Sequence, residues 1–154
     1  MFAPSDQMRY LTGWAEYGHE RLIALFVPAN GEPEFVVPAM NASQAKDNAA
    51  GIPGVRGWED EGGWHNTVGD LLGKWNLNGH GLAVDDELYS VHLIGIQGLT
   101  PGTPCVPAAD LMARLREIKT TEELSSNIFG ASDDDVDPMC GCLRFGDSDQ
   151  PAAN

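Results

Sequence analysis

The chain is poor in positive charge. Its 154 residues hold nine Lys and Arg against 23 Asp and Glu, a formal net charge of −14, and the lysines are Lys46, Lys74 and Lys119 alone. Such a surface repels phosphate backbones, which argues against nucleic acid as a direct partner. No apolar run approaches the roughly 20 residues of a membrane-spanning helix, and no membrane partner is expected. The opening MFAPSDQMRY lacks the basic head and apolar stretch of a secretory signal, so the expected location is cytoplasmic. Three cysteines are too few for a disulfide framework. His65, His80 and His92 are spaced without an H-x-H or H-x-x-x-H pair, so they give no metal signal. The G-x-G at Gly79-His80-Gly81 precedes a strand pattern where a dinucleotide site would have it follow one. No nucleophile–base pattern or phosphate loop is present.

What is there is ordinary globular material, 42% hydrophobic and 21% charged. Arg21–Pro28 (RLIALFVP) is a nearly continuous apolar run, the pattern of a strand buried on both faces. Asn30-Gly31 and then EFVVP make the second arm of a hairpin. Residues 40–50 read as helical, and Val55–Asp60 as a short strand. Val68, Leu71, Leu72 and Trp75 recur at i, i+3, i+4 and i+7, an amphipathic helix. GLAVD is a strand, and Asp85 is placed to cap a helix over Glu87–Gly98. Apolar residues on two sides of that helix predict that it is well buried. A strand at Cys105-Val106 precedes a helix opened by Pro107, with Leu111, Met112, Leu115 and Ile118 on one stripe. Cys105 reads as a buried apolar filler. Strands alternating with helices predict an α/β domain, its mixed sheet covered by helices on both faces.

Thr120 and Glu123 form a capping-box pattern, the start of another helix. From Ser125 the composition shifts to Asp, Ser, Gly and Pro, which reads as an acidic tail over 125–154. Asp133, Asp135 and Asp137 start like a calcium loop, but Pro138 and Arg144 fall where glycine and glutamate are needed. Cys140 and Cys142 are half a zinc site at best. Asp85-Asp86 reads as a helix cap before it reads as a catalytic carboxylate pair.

Arg9-Tyr10-Leu11-Thr12-Gly13-Trp14 resembles the "RYLTGF" motif of the creatinase/prolidase amino-terminal domain. His19-Glu20-Arg21 with LIALFVP is similar to the "PHERLLALLV" segment of bacterial Xaa-Pro dipeptidases. Trp58-Glu59-Asp60 with Trp64, LAVDDEL, and LREIKTTEEL resemble later motifs of the same family, in the same order. The resemblance spans residues 1–124. It implies that family's mixed-sheet, ribonuclease H-like fold over residues 1–119, a junction at 120–124, and no catalytic domain after it. In the family the catalytic domain holds two divalent metal ions. Without it the resemblance implies no catalytic residues, metal or cofactor here, and no peptidase activity by the chain itself. Met1-Phe2-Ala3 matches the tail of the family's first strand, so a first helix and most of that strand are expected to be missing.

The function implied is a non-catalytic cap or dimerisation module, pairing with itself or with a peptidase catalytic subunit. In the family the loop matching His19 crosses to the neighbouring subunit's substrate. His19 keeps the family histidine, whereas Tyr17 stands where the family has aspartate. Arg21, at the mouth of the buried strand, is a candidate for an anion or a partner carboxylate, or for an ion pair with Glu20 or another acid. Trp14 and Trp64 are candidates for a dimer surface, since large aromatics enrich interface cores. Plain core packing is the alternative for each. Two other readings fit the sequence: an acidic binding module for a basic partner, or the product of a truncated or frameshifted peptidase gene.

Overall fold

A computed structural model of the chain describes residues 1–77 and 80–118. The main compact unit is Met1–Leu115; the second, Arg116–Asn154, is described only through residue 118. The expected junction, the tail, the calcium-like run and Cys140 and Cys142 lie outside the described residues.

Helix α1 (Asp6–Thr12) opens the fold and was not expected from periodicity. Its ends explain it. The Ser5 hydroxyl caps the Met8 N–H and itself donates to Asp85 at 2.6 Å, while Gly13 closes the helix in the left-handed region at φ 70°. A Cβ at Gly13 would stand 2.6 Å from that of Ala49, so both conformation and space require glycine there. The buried Thr12 hydroxyl lies 2.8 Å from the Met8 carbonyl and 2.7 Å from that of Trp14, and it accepts the Trp14 N–H. The Leu-Thr-Gly-Trp run is therefore a helix stop that aims Trp14 at the core.

Strands β1 (Ala24–Phe26) and β2 (Glu34–Pro38) form the expected antiparallel hairpin, with Leu25 opposite Phe35. A 3-10 turn (Ala39–Asn41) and the short helix α2 (Ala42–Lys46) lead to β3 (Gly54–Trp58), parallel to β2. Helix α3 (His65–Trp75) buries Val68, Leu71 and Leu72, each worth about 1.5–3 kcal/mol of transfer. Strand β4 (Leu82–Val84) pairs parallel with β5 (Cys105–Pro107); helices α4 (Ser90–Leu99) and α5 (Ala109–Glu117) complete the set.

Residues 1–3 join the two groups of strands. Phe2 exchanges both backbone hydrogen bonds with Leu25 on one side. On the other, Met1 donates to the Ala83 carbonyl and accepts the Asp85 N–H. The order across the sheet is β5, β4, residues 1–3, β1, β2, β3. Alternation along β1 and β2 then sorts the core into two layers. Ala24, Phe26 and Val36 pack with α3 and α4. Leu25, Phe35 and Val37 pack with α1, α2 and α5. Both faces of the mixed sheet are covered, as the sequence predicts.

The expectations for Asp85, α4, Pro107 and Cys105 need correction. Asp85 does not cap α4: it accepts the Glu87 N–H at 3.0 Å in a tight turn, and the helix starts only at Ser90, capped by no side chain. Helix α4 is only half buried, with His92 and Ile96 inside and Val91 and Ile94 about two-thirds exposed. On α5 only Met112 of the apolar stripe is buried, and Leu111, Leu115 and Ile118 face outward. Pro107 ends β5 instead of opening α5, and Cys105 is half-buried.

Candidate functional site

The loop between α1 and β1 carries Tyr17, His19 and Arg21, and the structure gathers all three at one cavity of about 100 Å³. Its opposite wall comes from the turn into α4: Glu87, Tyr89 and, on the first turn of the helix, His92. The loop is shaped by a tight turn in which the Arg21 N–H donates to the Gly18 carbonyl at 2.9 Å. Inside that turn His19 takes φ 51°, a left-handed conformation uncommon outside glycine. A Cβ at Gly18 would stand 2.7 Å from the Arg21 carbonyl, so the turn closes against bare backbone.

Ring contacts hold the loop in place. Tyr17 meets His19 edge-on at 4.6 Å, and its hydroxyl is 3.2 Å from that of Tyr89, 72 residues away. That hydrogen bond holds the Tyr89 phenol above its ordinary pKa. Tyr89 stacks on His92, His92 meets the edge of Trp64, and Trp64 stacks on His65 at 3.9 Å. A line of aromatic rings thus runs from the core between α3 and α4 out to the His19 loop.

Arg21 is tied down by acid from another element. Its guanidinium donates to Asp60 at 2.7 Å and contacts the Met40 sulfur. The partner is Asp60, just past β3, and not Glu20. Trp14 is half-buried and meets Phe35 edge-on at 5.4 Å. Trp64 keeps 8% exposure, packed within the layer of α3 and α4.

Tyr89, Glu87, His92 and Asp60 are site residues that the sequence reading missed. His92 is 6% exposed, and neither of its ring nitrogens has a hydrogen-bond partner among the described residues. Burial, and secondarily the nearby His65, lower its pKa. Among the described residues no group of three or more His, Cys, Asp or Glu is placed to hold a metal ion.

The creatinase/prolidase N-terminal domain family model matches residues 2–118. The chain belongs to that family. It is 34% identical over 120 residues to YkvY of Bacillus subtilis (strain 168), provisionally assigned as a dipeptidase, covering 77% of this chain and 33% of that protein. It is 30% identical over 117 residues to the Xaa-Pro dipeptidase of Lactobacillus helveticus, covering 75% and 32%. Among solved structures, the dipeptidase PepE of Mycobacterium ulcerans superposes with a TM-score of 0.69 at 31% identity, over 81% of this chain and 33% of that one. The creatinase/prolidase N-terminal domain of a Streptococcus pyogenes X-Pro dipeptidase matches in fold, with a TM-score of 0.56 at 20% identity, over 72% and 82%. The chain spans about a third of the length of the curated relatives it matches.

Proposed function

We propose that this chain is a non-catalytic cap and pairing module of the Xaa-Pro dipeptidase type, working by association with a second copy or with a peptidase catalytic subunit. The observation that carries the reading is the set of exposed apolar side chains on α4 and on α5, which cover opposite faces of the sheet. Val91, Ile94, Leu111 and Leu115 are each more than half exposed, on helices whose other sides are packed. Each helix thus presents large apolar groups of the kind that mark a surface another chain covers. The His19 loop supports the capping half of the reading. Tyr89 and Asp60 brace it from neighbouring elements through Tyr17 and Arg21, so it reaches a partner already shaped. Trp14, half-buried beside that loop, is offered to the same contact; Trp64 contributes through packing beneath it.

Peptide-bond hydrolysis is assigned to the partner, and no metal or cofactor to this chain. Sedimentation velocity at micromolar concentration tests the association. A dimer is expected, returned to monomer by Ile94→Asp with Leu115→Asp. A stable wild-type monomer that also fails to bind a catalytic subunit removes the proposal.

A further inference from the structure

One of the side chains bracing the His19 loop carries redox chemistry. Met40, on the 3-10 turn after β2, is 71% exposed, and its sulfur accepts a hydrogen bond from Nη1 of Arg21 at 3.2 Å. The other guanidinium arm, Nη2, donates to Asp60 at 2.7 Å. Arg21 belongs to the loop itself, whose turn closes through its own N–H on the Gly18 carbonyl. Met1, Met8 and Met112, the other methionines among the described residues, are at most 4% exposed. Of the described thioethers, Met40 alone stands open to solvent, and it is tied to the loop.

We propose that Met40 is a modification site for hydroperoxides, and that its sulfoxide oxygen holds Arg21 and stiffens the His19 loop. The step is a two-electron oxidation of the sulfur. A sulfur lone pair takes one peroxide oxygen, and the O–O bond breaks as the S–O bond forms. The hydrogen of that oxygen passes to the other, which leaves as water or an alcohol. A dithiol-dependent sulfoxide reductase reverses the change: the oxygen leaves as water and the dithiol becomes a disulfide.

What faces the sulfur makes the change matter here. A thioether is a weak acceptor. A sulfoxide oxygen is strongly polar, and a hydrogen bond from a charged donor is about twice as strong as a neutral one. Arg21 already presents that donor, and Asp60 fixes the planar guanidinium by its other arm. Oxidation therefore strengthens an existing link between the turn after β2 and the loop. The new oxygen also stays in water, whereas one on Met8 or Met112 would have to be buried. The loop's response stands whether or not the loop caps a partner; any consequence for capping rests on the proposed function.

The full chain is treated with limiting hydrogen peroxide, and each methionine is followed by peptide mass mapping. Met40 is expected to oxidise at least about tenfold faster than Met1, Met8 and Met112. Met139, outside the described residues, is mapped separately, and Met40→Leu reports what its oxidation does alone. In the oxidised chain the Arg21 amide should exchange its hydrogen about threefold more slowly. Met40→Gln, whose Cδ and Oε1 take the places of the sulfur and its oxygen, should slow the same amide without peroxide. Sulfoxide reductases for both epimers should restore the original rate. Oxidation of the buried methionines as fast as Met40 overturns the site. An Arg21 amide unmoved by full oxidation of Met40, or slowed equally in peroxide-treated Met40→Leu, overturns the link to the loop. These readouts come from the loop itself, so a failed sedimentation test leaves them standing.

Discussion

Protonating His92 in the folded chain places a charge between Trp64 and Tyr89, with no acceptor among the described residues. The groups facing it are His65 from α3, Glu87 and Tyr89 from the turn before α4, and Tyr17, His19 and Arg21 from the loop. Burial is the dominant cause and lowers its folded pKa. The unfolded chain therefore holds the extra proton between the free-imidazole value near ~6.5 and the lower folded value. Stability supplied by neutral His92 is full above that window and is lost as pH falls through it. Thermal melts of wild type and His92→Phe should separate more at pH 5 than at pH 7.5, with the wild type losing more. Parallel curves would mean that the ring is already satisfied. Little of this could be read from the sequence. Position 92 announces a helix residue, and its isolation depends on where Trp64 and Tyr89 lie in space.

The elements themselves were legible wherever one periodicity met one environment. The β1–β2 hairpin and α3 follow from continuous apolar runs and a 3.6-residue stripe, because their surroundings lie inside the chain. Helix α4 was misjudged for the opposite reason. Apolar periodicity marks a face to be covered and is silent on what covers it, so Val91 and Ile94 read as core and stand exposed, as do Leu111 and Leu115 on the α5 stripe. Helix α1 was missed because caps define its seven residues more than a stripe does. The contact of α3 with α4 turns on Gly95, where an added Cβ would lie 2.6 Å from the Trp64 ring. Gly95→Val should cost about 1–3 kcal/mol, seen as a lower denaturation midpoint with an unchanged slope. Since Trp64 also carries His92, the same variant should shift the Tyr89 and His19 ring resonances. Gly98, with open space around it, is the control: Gly98→Ala should be neutral or slightly stabilising.

For the molecule as a whole, the fold and family could be read from five short motifs in order, while the wiring of the site could not. The loop with Tyr17, His19 and Arg21 was singled out, but its braces come from residues 72 and 39 positions away. Sequence spacing carries no trace of such distant pairs. The family match covers residues 2–118, and the stretch aligned with YkvY is 33% of that protein's length. On the proposed reading, purified chain should release no amino acid from an Xaa-Pro dipeptide, with or without manganese or cobalt, measured by proline release against a dipeptidase control. Turnover that followed the chain through purification would end the reading of a module without chemistry of its own.

The three residues that stitch β4 to β1 make the sheet strong at its flanks and narrow at its waist. Loosening Met1–Ala3 would part the platform into two plates, one bearing the His19 loop and the other the turn that leads to Tyr89. The cavity between those walls is then only as steady as that seam.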